Sequence, residues 1–214
     1  MKVVSVEHLA IPAVRTVRFA RFADHRGYFT EHFRQSDFDG SQIPFLNGVR
    51  FVQANESFSR PGVMRGLHFQ WNPYMGKLIR TLHGRMIDLF LDIRKGSPTW
   101  GMIAAHDMPA TPGDAEGQWI WVPPGFAHGN VFTEETTIEY FCSGEYSPGC
   151  EAGISPLADD LDWSLCDPAL RQEVAAAVAG RLLISDKDRD GLSVQAWGAD
   201  PRSDTFLYDD LAEG

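Results

Sequence analysis

The sequence predicts a mainly β fold, an antiparallel barrel or sandwich with a small helical appendage, and three observations predict it. From Met1 to about Gly144 the chain is a series of short strand-like segments broken by turns, with no repeat, low-complexity tract or long linker. Within it, Arg85–Arg94 alternates with period two. Ile87, Leu89, Leu91 and Ile93 form an apolar face, and Met86, Asp88, Phe90, Asp92 and Arg94 form the other. Beyond Asp167 the apolar spacing becomes helical. Twenty glycines, 13 prolines and 12% aromatic residues suit a turn-rich β protein.

Taken in order, Arg65–Gln70 is a strand with Arg65, Leu67 and Phe69 on one face and Gly66, His68 and Gln70 on the other. Lys77–Thr81 and the strand from Arg85 are joined through His83-Gly84 and form a hairpin. Trp119–Val122 is a strand stopped by Pro123-Pro124-Gly125, and Thr136–Cys142 is β-branched and aromatic, hence another. Asp167 and Pro168 serve as N-cap and first residue of a helix. Leu170, Val174, Ala177 and Val178 give it an apolar side, and Gly180 closes it. The 214 residues suit one domain over 1–214, with the barrel at about 1–165 and the helical tail at about 166–214.

The net charge of −10 argues against a broad nucleic-acid-binding surface, though a few Lys and Arg can still build a local pocket for a phosphate-bearing small molecule. Cys142, Cys150 and Cys166 are odd in number and lack a CxxC spacing, so neither a disulfide framework nor a zinc site is expected. There is no signal-peptide pattern and no run of eighteen apolar residues, so no membrane partner is expected and the cytoplasm is the simplest compartment.

Two motifs carry chemistry. In Arg65-Gly66-Leu67-His68-Phe69-Gln70, the glycine leaves room beside His68 for a ligand; the plainer alternative is a hydrogen-bonded core histidine. Gly117 to His128 follows the second half of the metal-binding cupin pattern, G-x5-P-x-G-x2-H. The first half of that pattern needs two imidazoles, and here His68-Phe69-Gln70 offers one. An amide is a poor substitute for a nitrogen ligand, so the expectation is a cupin barrel with no metal. His128 has its own plain alternative, a turn residue bonded to backbone. Asp186-Lys187-Asp188-Arg189-Asp190-Gly191 imitates the start of an EF-hand loop. The twelfth position, Trp197, cannot supply the bidentate carboxylate, so a polar turn is expected. Arg26, Arg65, Lys77 and Lys187 are cations scattered along the chain, and the sequence alone does not bring them together.

In order, these segments resemble the dTDP-4-dehydrorhamnose 3,5-epimerase family, the RmlC-like cupins. The resemblance runs from Asp24-His25-Arg26-Gly27-Tyr28-Phe29-Thr30-Glu31 through Phe51-Val52-Gln53-Ala54-Asn55-Glu56-Ser57, Arg65–Gln70, Gly76-Lys77-Leu78 and Asp92–Thr99. It continues through Pro123–Gly129, Tyr140–Pro148 and Glu151 to Ile184–Asp188. It implies a cupin jelly-roll homodimer, with no cofactor, that acts on a nucleotide sugar. The implied catalytic set is His68 as base, Asp188 as its orienting carboxylate, Tyr140 as acid on the opposite face of the sugar, and Lys77 beside the developing enolate oxygen. Arg26, Phe29, Glu31, Gln53, Asn55, Arg65, His128, Glu151 and Lys187 match residues that hold the substrate, and Tyr146 matches the aromatic that stacks on the base.

The implied reaction inverts C3, C5 or both of an NDP-4-keto-6-deoxyhexose, with dTDP-4-dehydro-6-deoxy-D-glucose as the leading substrate. Its chemistry calls for these residue types. A proton beside a ketone becomes removable when charge moves onto the carbonyl oxygen, where a cation stabilises it. Histidine, with a reference pKa of about 6.5, is a suitable base, and inversion needs a second group on the other face. Three positions depart from the family. Glu56 stands where His usually precedes Ser, Asn130 replaces an aromatic after His128-Gly129, and the Asp-Pro that often follows Glu151 is absent. These leave the implied catalytic set intact; the nucleotide, the sugar and the carbon inverted stay open. Two alternatives remain. A metal-dependent cupin oxygenase or isomerase needs further ligands near His128. A non-catalytic sugar-nucleotide-binding cupin has no need of His68, Tyr140 and Asp188 together.

Overall fold

Period-two patterning becomes twelve strands in the computed structural model, which describes residues 1–211. They are β1 (Val3–His8), β2 (Arg15–Ala20), β3 (Phe22–Asp24), β4 (Gly27–Phe29), β5 (Gln53–Ser59) and β6 (Met64–Gln70), then β7 (Lys77–Asp92), β8 (Ile103–Ala110), β9 (Glu116–Val122), β10 (Phe126–Phe132), β11 (Thr136–Cys142) and β12 (Glu151–Gly153). Five helices accompany them: α1 (Gln35–Phe38), α2 (Pro168–Ala179), α3 (Asp186–Arg189), α4 (Val194–Ala199) and α5 (Tyr208–Leu211). Residues 212–214 of the expected tail lie outside the described residues. No helix among the described residues is long and apolar enough to cross a membrane.

All strand pairs are antiparallel. One sheet runs β1–β2–β9–β7–β11–β5, the other β8–β7–β10–β6–β12, and β3–β4 form a separate hairpin. Strand β7 belongs to both sheets. Lys77–His83 pairs with β9 and β11, and Gly84–Leu91 pairs with β8. The result is the jelly-roll barrel expected of a cupin.

The expected hairpin at His83-Gly84 is not there. Gly84 has φ +84, which bends a continuous strand from one sheet into the other instead of reversing it. A Cβ at Gly84 would lie 2.8 Å from Thr136 Oγ1, so β11 also packs too closely for a side chain.

The second half of β7 is buried on both faces, although its sequence suggests only one apolar face. Ile87, Leu89, Leu91 and Ile93 pack under the C-terminal segment, together with Val174, Val194, Trp197 and Phe206. Phe69 and Trp197 meet edge to face at 4.5 Å. The mixed face points into the barrel, where Met86 and Phe90 join Ile79, Ile120 and Phe132. The tail is therefore the outer layer over one sheet, and its elements are firmly capped. Asp167 accepts from the Ala169 and Leu170 amides at 2.9 and 3.1 Å, starting α2, which ends at Gly180. Ser185 caps α3, the short helix formed by the EF-hand-like segment.

Candidate active site

His68 projects from β6 into the barrel, and its Nε2 lies 2.7 Å from Asp188 Oδ1. A carboxylate accepts, so Nε2 carries the proton and Nδ1 is left as the basic atom, free of any hydrogen bond among the described residues. Asp188, 8% exposed, also accepts from the Gly66 amide at 3.2 Å. Two elements 120 residues apart thus build the pair: strand β6 and helix α3, whose first turn is held by Ser185. Burial, reinforced by the nearby Lys77 ammonium, lowers the His68 pKa, and Asp188 works against that shift.

Arg65 was expected on the face opposite His68, yet both line the same cavity. The reason is a bulge. His68 pairs with His128, but Arg65 pairs with Asn130, so the register slips by one residue around Gly66 at φ +103. A Cβ on Gly66 would lie 2.6 Å from both Gly129 Cα and His128 O. The glycine therefore admits the neighbouring strand where a Cβ would stand, while Gly66 also lines the cavity beside His68 as expected. Arg65 itself leans on β5, donating to Ser59 Oγ at 3.0 Å and the Phe58 carbonyl at 3.3 Å.

The cleft has two lobes that share His68, Lys77 and Tyr140. The deep lobe, about 200 Å³, adds Ser57, Arg65, His128, Asn130 and Ile138. The outer lobe, about 370 Å³, adds Gln53, Asn55, Met75, Cys142, Tyr146 and Glu151. Tyr140 stands on β11, flanked by Asn55 and Ile79. Burial raises its pKa, keeping the phenol protonated. Lys77 sits deep in the wall at the start of β7. Loss of water lowers its pKa, and its ammonium makes no hydrogen bond among the described residues.

At the mouth, Glu151 Oε1 accepts from Lys187 Nζ at 2.7 Å and Tyr146 Oη at 3.0 Å. Gln53 Oε1 accepts from the Tyr146 amide at 2.8 Å, and Gln53 donates to Asn55 at 3.1 Å. Strand β11 ends at Cys142, so the chain turns and brings Tyr140 and Tyr146 to one lobe. Gln70 fixes that turn. Its amide donates to the Pro73 and Glu145 carbonyls, each at 2.9 Å, and accepts from the Ser147 amide at 2.9 Å.

Arg26, Phe29 and Glu31 line neither lobe. Arg26 is 78% exposed and paired with Asp24, two residues before it. Phe29 is 70% exposed on the separate hairpin, and Glu31 binds Arg34 and the N-terminal amine. Conversely, sequence reasoning gave no role to Asp88. This carboxylate, fully buried, accepts from His128 Nε2 at 2.7 Å and Asn130 Nδ2 at 2.8 Å. His128 is thus a strand residue tied to a carboxylate, not a turn residue bonded to backbone. A signal existed: an acid between Met86 and Phe90 on an otherwise greasy stretch is costly unless partnered.

Fold and cleft together define the class, a cupin barrel with a polar cleft between its two sheets. Known proteins narrow it further. The chain belongs to the dTDP-4-dehydrorhamnose 3,5-epimerase family, whose model matches residues 8–196, and it is an isomerase of that family. A dTDP-4-dehydrorhamnose 3,5-epimerase of Shigella flexneri is 36% identical over 195 residues, covering 89% of this chain and 94% of that one. The crystal structure of dTDP-6-deoxy-D-glucose-3,5-epimerase from Legionella pneumophila, in complex with dTDP-4-keto-L-rhamnose, superposes with TM-score 0.75. It is 30% identical and covers 93% of this chain and 96% of that one. NovW, a 4-keto-6-deoxy sugar epimerase of Streptomyces spheroides, gives TM-score 0.71 at 28% identity, with 91% and 89% covered.

Proposed function

We propose that the chain inverts C3, C5 or both of an NDP-4-keto-6-deoxyhexose, with dTDP-4-dehydro-6-deoxy-D-glucose as the leading substrate. The observation that carries this reading is the Asp188-backed His68 on one sheet sharing a cavity with Tyr140 and Lys77 on the other. His68 Nδ1 takes the proton from the carbon beside the ketone, and the C–H electrons form the enolate. The Lys77 ammonium stabilises the charge on oxygen. Tyr140 Oη gives its proton to the other face of the carbon, and solvent exchange resets both groups. The mouth residues Gln53, Asn55, Tyr146, Glu151 and Lys187 hold the nucleotide end, and Arg65 reaches the sugar from the deep lobe. The dTDP-linked sugar bound by the Legionella relative supports that assignment.

The test is incubation with dTDP-4-keto-6-deoxyglucose in deuterated water. Deuterium at C3, C5 or both supports the proposal and names the carbon; deuterium at neither overturns it. Arg65→Ala is expected to weaken binding of the nucleotide sugar in titration more than it lowers the melting temperature, since its guanidinium fork lines the deep lobe and can pair with sugar oxygens there. Unchanged affinity would leave Arg65 a brace for β5 only.

The reaction as proposed uses no cofactor or metal. Both His68 and His128 give Nε2 to carboxylates, and Gln70 spends its amide on backbone, which makes a poor donor set for a transition metal. Activity is expected to survive exhaustive chelation; activity restored only by an added divalent ion would favour the metal-dependent reading. A non-catalytic binding cupin would bind dTDP and exchange nothing.

The functional unit in this proposal is a homodimer. The β3–β4 hairpin leaves Phe22, Tyr28 and Phe29 exposed and carries Arg26 away from its own cleft, which supports its delivering Arg26, Phe29 and Glu31 to a second copy.

A further inference from the structure

The deep lobe ends on a side chain that the proposed chemistry does not use. Asn130, 6% exposed on β10, donates through Nδ2 to Asp88 Oδ1 at 2.8 Å and lies 3.0 Å from Met86 Sδ. A carboxylate only accepts, so Asp88 fixes the amide nitrogen toward itself and the carbonyl oxygen away from itself. Asn130 Oδ1 accepts no hydrogen bond among the described residues. It is also absent from the side-chain atoms sealed inside the protein without a partner, a group that includes Asp88 Oδ2. Since Asn130 lines the deep lobe, its carbonyl oxygen opens onto that lobe as a fixed acceptor. The same carboxylate oxygen holds His128, so neither side chain can turn without breaking a bond to a buried charge.

Of the other polar side chains that line this lobe, Arg65 and Lys77 only donate, Ser57 and Tyr140 carry hydroxyls, and His68 Nδ1 is committed to the reacting carbon in the epimerase reading. An acceptor among them selects a substituent that donates. We infer that Asn130 Oδ1 receives the C3 hydroxyl of the sugar, and that Asn130 is a specificity-determining residue; this rests on the epimerase reading. The assignment follows from the ring. C1 carries the diphosphate toward the mouth, and C2 lies beside it. C4 bears the ketone that faces Lys77, and C6 of a 6-deoxy sugar has no donor. The C3 hydroxyl is the remaining donor that reaches the deep end. Inversion at C3 swings this hydroxyl between axial and equatorial positions, and one fixed acceptor meets only one of them. Asn130 thereby favours one C3 epimer in the bound state.

The experiment compares dTDP-4-keto-6-deoxyglucose with its 3-deoxy counterpart in deuterated water, following deuterium entry beside the ketone, which both compounds allow. The wild-type chain is expected to prefer the parent in kcat/KM by roughly tenfold or more, the scale of a hydrogen bond whose protein partner is otherwise left unpaired. In Asn130→Leu the preference falls to within about twofold, the resolution of such a comparison, mainly through slower turnover of the parent. Asn130→Ser, which keeps a donor for Asp88 while withdrawing the acceptor from the lobe, gives the same result if the leucine variant does not fold. Retained dTDP binding identifies the folded variants. Full preference for the parent in a folded variant, or no preference in the wild type, overturns the inference and leaves the epimerase reading standing. No deuterium entry by the wild type into either compound removes the epimerase reading and this inference with it.

Discussion

His68→Ala is expected to keep its fold and its affinity for dTDP while losing solvent exchange at the sugar by about 10²–10⁴-fold, the usual cost of removing a positioned base. The ring is only one of several groups lining the cavity, and Leu67 and Phe69 on either side of it make the core contacts of β6, so the fold does not depend on it. The pH profile identifies the base independently. Burial and Lys77 lower the His68 pKa, so the free base persists below the ordinary histidine range, and exchange falls only as the pH drops through that lowered value. On the alkaline side Lys77 loses its proton below the usual lysine range, whereas the Tyr140 pKa is raised. The alkaline loss of activity therefore belongs to Lys77. Wild-type exchange in the alanine variant would end the assignment of His68.

Tyr140→Phe should separate two events that the wild type performs together. The substitution removes one hydroxyl and keeps the ring beside Asn55 and Ile79. His68 still abstracts the proton and can return a deuteron to the face it came from. Deuterium is expected to enter, while inversion drops by about the 10²–10⁴-fold that a positioned acid supplies. Since the alkaline limb is assigned to Lys77, it should persist in the exchange reaction of this variant. Inversion at the normal rate would transfer the acid role to another group, Tyr146 or a water, and withdraw it from Tyr140.

Much of the fold was legible because the burial periods are simple. Thr136–Cys142 is a strand at its expected bounds, and α2 begins after Asp167 and stops before Gly180 as its capping residues indicate. The failures occur where tertiary packing overrides a local signal. Gly84 carries the same turn chemistry whether a strand reverses or bends, and only the closeness of Thr136 selects the bend. Arg65 changes face because of one extra residue at a bulge, which alternation cannot register. Residues that match a known motif could be named from sequence; the support beneath them could not. Asp88 has no motif of its own, and its function is visible only when His128 and Asn130 are seen to converge on it. Arg26, Phe29 and Glu31 match the motif but line neither lobe, because a resemblance names residues without placing them in space.

The wide separation of His68 and Asp188 has a consequence for synthesis in the cell. A chain emerging from the ribosome displays His68, Lys77 and Tyr140 well before residue 188 exists, and every barrel strand precedes α3. Domains generally fold from the N-terminal end as they appear, so a nascent barrel can close around an unfinished cleft whose histidine has no carboxylate to fix its tautomer. Premature termination before α3 then leaves His68 without Asp188, and so without the base that the proposed mechanism needs, and it uncovers the core face that Val194, Trp197 and Phe206 close. In the proposed mechanism, catalytic competence therefore waits for translation to pass α3.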